Sequence, residues 1–142
     1  MSKIQDLREL MGSQVNLAAH LGLTQPYVSA LLLGKHVPGR TTGLAVGVSL
    51  MLHEAGLLDF AITYHTTKPI MALVRFLDGG IPDVALLLKV TELGVKDYML
   101  KTPRQVERLA SMLEVIHVFM PAQREVILAG FRRSLEVTRS ED

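Results

Sequence analysis

A chain of 142 residues and 15.6 kDa has material for one ordinary domain or two small ones, and a core of that size supports itself without cross-links. It contains no cysteine, which excludes disulfides, thiolate nucleophiles and thiolate metal sites and suits a reducing cytosol. The formal net charge of +1 argues against a strong non-specific nucleic-acid binder, yet residues 1 to 40 hold Lys3, Arg8, Lys35 and Arg40 against only Asp6 and Glu9.

Hydrophobic residues make up 49% of the chain and aromatics 5%, so Leu, Val, Ala, Ile and Met carry the apolar mass and helices are favoured. Charges at Lys3, Asp6, Arg8 and Glu9 interrupt any apolar run near the N-terminus, so export is not expected and a cytoplasmic location is. The weakly charged stretch 41 to 53 is too short to cross a bilayer, and no membrane association is expected.

The first helix is expected over 2 to 11, where Ile4, Leu7, Leu10 and Met11 share one face. Gly12 ends it. Ser13 is placed to cap a second helix over 14 to 21 with Val15, Leu17, Ala18 and Leu21 inward. Gly22 suits a positive-φ turn, Thr24 caps a third helix and Pro26 sits in its first turn, where a missing N–H costs nothing. That helix runs to about 33 with Val28 and Leu31 inward, and Gly34 stops it.

A loop over 35 to 42 leads to a fourth helix, 42 to 55, closed by Gly56. Over 59 to 67, Phe60, Ile62 and Tyr64 alternate with Ala61, Thr63 and His65, a period that admits a short strand. Helical patterning then resumes over 69 to 78, breaks at Gly79-Gly80, restarts at Pro82 with an end at Gly94, and continues over 95 to 100. Thr102-Pro103-Arg104-Gln105 has the form of a capping box, opening a helix with Val106, Leu109, Leu113, Ile116 and Met120 along one stripe. Pro121 opens a last helix with Val126, Ile127, Phe131 and Leu135, and the tail from 138 should fray.

The segment from Gln14 to Lys35 resembles the Cro/repressor-type (Xre-like) helix-turn-helix. Leu17-Ala18, Leu21-Gly22, Thr24-Gln25, Val28-Ser29 and Gly34-Lys35 fall at the spacing of that motif, and the likeness covers residues 2 to 58. It implies that the second helix holds the third outward so that its first turns enter a major groove of double-stranded DNA. Gln25, Pro26, Tyr27, Ser29 and Ala30 are then the base-reading residues. Gln25 suits adenine, Pro26, Tyr27 and Ala30 suit thymine methyls, and Ser29 suits either, which leans the half-site toward A·T. Pro26 departs from the family, where that position often bears a polar side chain. Phosphate contacts are expected from Gln14, Asn16, Thr24, Lys35, His36 and Arg40.

His20, His36, His53, His65 and His117 show no metal-ligand spacing, and no nucleophile elbow, phosphate loop or dinucleotide pattern is present. Neither an enzyme nor a cofactor is expected, and no convergent polar set marks a small-molecule pocket among the C-terminal helices.

The reading is an all-α protein with a helix-turn-helix DNA-binding domain over 1 to 60 and a helical oligomerisation or regulatory domain over 68 to 138, divided between 59 and 68. Its function would be sequence-specific transcription regulation as a homodimer or higher oligomer on a two-fold operator. The alternative is a protein-interaction module, an antitoxin or polymerase-contacting activator, whose C-terminal helices bind a different protein.

Overall fold

The computed structural model describes the backbone of residues 2–141 and the side chains of residues 2–133. It is all-helical, with no strand among the described residues. In chain order the helices are α1 (Lys3–Met11), α2 (Gln14–Leu21), α3 (Gln25–Leu32), α4 (Arg40–Glu54), α5 (Leu58–Thr63), α6 (Pro69–Leu77), α7 (Ile81–Leu88), α8 (Glu92–Leu100), α9 (Arg104–Phe119) and α10 (Pro121–Glu141). No helix among the described residues is long and apolar enough to cross a membrane.

Local chemistry sets the first boundaries. Ser2 and Gln5 form a reciprocal capping box at the start of α1, and Gly12 closes it in the left-handed region. The Ser13 hydroxyl accepts the Asn16 N–H at 3.1 Å to open α2.

α9 is the axis of the molecule. It packs against α6 on one side and α4 on the other, and also touches α2, α5 and α10. Its buried residues surround it, from Val106 and Leu109 through Ala110 and Ser111 to Met112, Val115 and Ile116, the pattern of a helix enclosed by others. The sequence shows only the stripe through Leu109, Leu113 and Ile116; the buried Ala110 and Ser111 complete the circumference. The buried apolar cluster runs without interruption from Ile4 in α1 to Leu128 in α10, joining residues of the 1–60 region to those of the 68–138 region.

Several expectations are corrected. Residues 58 to 63 form a helix, since Leu58 and Ala61, one helical turn apart, are the buried pair, and Phe60 and Tyr64 meet at 5.8 Å across the next turn. Val15 faces outward, 58% exposed, and His20 takes an inward position on α2. The helix begun near Pro82 ends at Leu88, where Lys89 is left-handed, and Thr91 caps a new one by accepting the Gly94 N–H at 2.9 Å. Thr102 caps nothing: its hydroxyl donates to the Tyr98 carbonyl at 2.6 Å, and α9 starts behind Pro103 without a side-chain cap. The contact expected of the Leu135 side chain lies outside the described residues.

Candidate nucleic-acid interface

α2 and α3 pack against each other around the turn at Gly22. Gly22 adopts φ 69° and ψ 33°, and its N–H bonds back to the end of α2. Thr24 is extended, and its hydroxyl accepts the Tyr27 N–H at 3.4 Å to start α3. Val28 and Leu31 are buried against the rest of the bundle. α3 is therefore anchored along one side, and its other side is open.

On that open side Gln25 and Pro26 are exposed, while Ser29 and Ala30 are half-buried. Tyr27 is half-buried too, and its ring stacks on His36 with centroids 6.0 Å apart at 27°. Tyr27 thus ties α3 to its own exit loop, a bracing contact in addition to any outward one. Lys35 and His36 are exposed beyond Gly34, with the Lys35 N–H bonded to the Ala30 carbonyl at 2.9 Å.

The residues expected at phosphates do not all gather there. Thr24, Lys35 and His36 lie at the two ends of α3 and are exposed. Asn16 is exposed, but its amide nitrogen donates to the Met11 carbonyl at 3.0 Å, and Gln14 is half-buried. Arg40 reaches in the opposite sense, its Nε donating to the Leu87 carbonyl at the end of α7 at 2.8 Å. It fastens the start of α4 to the C-terminal helices because that helix end presents a carbonyl with no partner inside its own helix.

Behind this corner lies a buried polar seam that the sequence did not mark. Arg108 on α9 is 1% exposed, and its guanidinium donates to the His20 carbonyl (2.8 Å), the Tyr64 carbonyl (2.8 Å) and the Ala61 carbonyl (2.7 Å). It thereby closes the C-terminal ends of α2 and α5 at once. Burial lowers the Arg108 pKa, opposed by Glu107 and reinforced by Arg104.

His20 lies in the same seam. Its Nε2 is 2.8 Å from the Ser49 hydroxyl, which itself lies 2.7 Å from the Ala45 carbonyl and 3.2 Å from the Met112 sulfur. Burial, reinforced by Arg108, holds its pKa down at about 4. A charged or polar residue inside an apolar stripe was the one available signal for both, since Arg108 stands directly before Leu109 and His20 directly before Leu21.

The turn itself rests on α9. A Cβ on Gly22 would lie 2.5 Å from the carbonyl carbon of Arg104 and 2.7 Å from the Gln105 nitrogen, so backbone meets backbone there. Among the described residues no group of three or more His, Asp or Glu is arranged to hold a metal ion. Comparison with known proteins finds no family model, no curated protein and no solved structure that matches the chain.

Proposed function

We propose that this chain is a cytoplasmic, sequence-specific DNA-binding transcription regulator that acts as a homodimer on a two-fold operator, reading bases with the first turns of α3. The observation that carries the reading is the exposed start of α3, with Gln25 at its head, on a helix whose opposite side is buried through Val28 and Leu31. A helix fixed in this manner can enter a major groove without rearrangement, and Gln25 has the paired donor and acceptor that adenine requires.

Lys35 and His36, exposed at the exit of α3, are the phosphate-side residues with the best access. With Arg40 turned toward Leu87, the basic set per subunit is small, so binding leans on base contacts and has a shallow salt dependence.

Gel-shift titration against the protein's own upstream region tests this. Gln25→Ala and Ser29→Ala should relax base preference by about 1–3 kcal/mol at single positions, whereas Lys35→Ala should weaken all sequences alike and flatten the salt slope. Binding left unchanged by all three substitutions would overturn the placement.

A second reading rests on α8. Leu93, Met99 and Leu100 are exposed there, Leu100 at 90%, and Met99 lines a groove with Met71 of α6. Isolated exposed apolar residues are ordinary, but a cluster of this kind marks a surface that another chain covers. This favours self-association or a different protein partner through the C-terminal helices. Light scattering on the wild type and on Leu100→Glu separates them: a dimer that dissociates in the variant makes α8 the homodimer face, and a wild-type monomer transfers it to a different partner.

A further inference from the structure

A cavity of about 450 Å³ opens between α1, α2, α5 and the first residue of α9. Its apolar wall is Leu10, Met11 and Ile62, contributed by α1 and α5. Its polar wall carries two opposite charges, Asp59 and Arg104, and neither has an ion pair or hydrogen bond within the protein among the described residues. Both side chains are exposed at the cavity and no ion pair joins them, so a ligand that carries both signs can engage the two together.

The surroundings decide which end goes where. α9 begins at Arg104 with no side-chain cap, so its positive end adds to the guanidinium and favours an anion there. His65 lines the cavity too; its Nδ1 lies 2.8 Å from the Glu107 carboxylate and 3.2 Å from the Arg108 guanidinium, so these two residues fix the ring. The Glu107 carboxylate is engaged by His65 and by the Ser111 hydroxyl, 3.0 Å away, and makes no ion pair with Arg104. Asp59, on α5, is the acidic residue of the cavity wall and suits a cation. His20 contributes to the wall as well, and its buried Nδ1 makes no hydrogen bond, a polar gap that packing alone does not explain.

From this geometry we infer that the cavity binds a small zwitterion of the free amino-acid class, with its carboxylate at Arg104, its ammonium at Asp59, and an aliphatic or thioether side chain over Leu10, Met11 and Ile62. The volume is within the range of small-molecule sites and leaves room for such a ligand with some of its water. The inference concerns the cavity alone, so it stands or falls separately from DNA recognition.

Methyl-labelled full-length protein, titrated with each of the standard free amino acids, tests it by NMR. A saturable shift of the Met11 and Ile62 methyls is expected with leucine- or methionine-like ligands. The amide form, which lacks the carboxylate, and the N-acetyl form, which lacks the ammonium, should each bind at least about tenfold more weakly. Arg104→Met and Asp59→Asn should show the same loss while methyls remote from the cavity, such as those of Leu128, keep their positions. Absence of any saturable shift across the free amino acids, or equal binding of the blocked and free forms, would overturn the proposal. The blocked ligands keep the test decisive even if a substituted chain fails to fold.

Discussion

Gly22 and Gly34 bracket α3, and both hold a positive φ, 69° and 75°. Their surroundings differ completely. A methyl group at Gly22 would collide with the backbone of Arg104 and Gln105, whereas one at Gly34 would meet nothing within 4 Å. The entrance of α3 is therefore seated on α9, the helix at the centre of the molecule, and the exit is an open loop in which Lys35, His36 and Val37 are exposed. The difference teaches how a short helix is seated: its entrance meets the backbone of the core, while its exit meets none at Gly34 and is braced by the Tyr27–His36 stack.

That contrast can be broken most severely from behind. Arg108→Met should remove about 3–5 kcal/mol of folding stability, read by denaturant unfolding, because three helix-end carbonyls lose their donor together. Arg108→Lys should recover little, since an ammonium cannot reach three carbonyls in a planar fork. A loss below about 1 kcal/mol in the Met variant would mean that the seam does not anchor the entrance.

Gly22→Ala comes next, at roughly 2–5 kcal/mol, combining left-handed strain with the backbone collision at α9. Gly34→Ala, with the same φ but open space, should cost only about 1–2 kcal/mol. Equal costs at the two glycines would remove the distinction between a seated entrance and a free exit.

Acid should act at the entrance as well. The folded-state pKa of His20 is about 4 against 6.5 for an unperturbed imidazole, so between these values the unfolded chain binds a proton that the native state refuses. Stability attributable to His20 is therefore complete above about pH 6.5, declines as pH falls toward 4, and is lower by about 3 kcal/mol at the acid limit. His20→Gln should flatten this part of the stability profile, measured by unfolding between pH 7 and 4. An unchanged profile would contradict the buried neutral ring.

What the sequence discloses follows the range of the physics involved. Gly12, Ser13, Gly22, Thr24 and Pro26 act on backbone within four residues, so the boundaries of α1, α2 and α3 are readable one residue at a time. The half-buried edge at 58 to 63 was not, because a period of two and a period of three are hard to distinguish over six residues when Phe60 and Tyr64 contact each other. Arg108 joins residues 88 and 44 positions away, and Arg40 reaches Leu87 across 47, separations that no local pattern encodes. The zwitterion cavity was invisible for the same reason: Asp59, His65 and Arg104 look like separate surface residues until α5 and α9 bring them to one wall.

Selection of bound sequences from random DNA addresses the outward presentation of α3 most directly. The account predicts enrichment of a two-fold-symmetric site whose half-sites repeat at about one helical turn, 10–10.5 base pairs from centre to centre, with degeneracy appearing at defined positions when Gln25 is replaced by Ala. A pool that stays random with the wild-type protein, at salt low enough for any helix-turn-helix protein to bind, would contradict it.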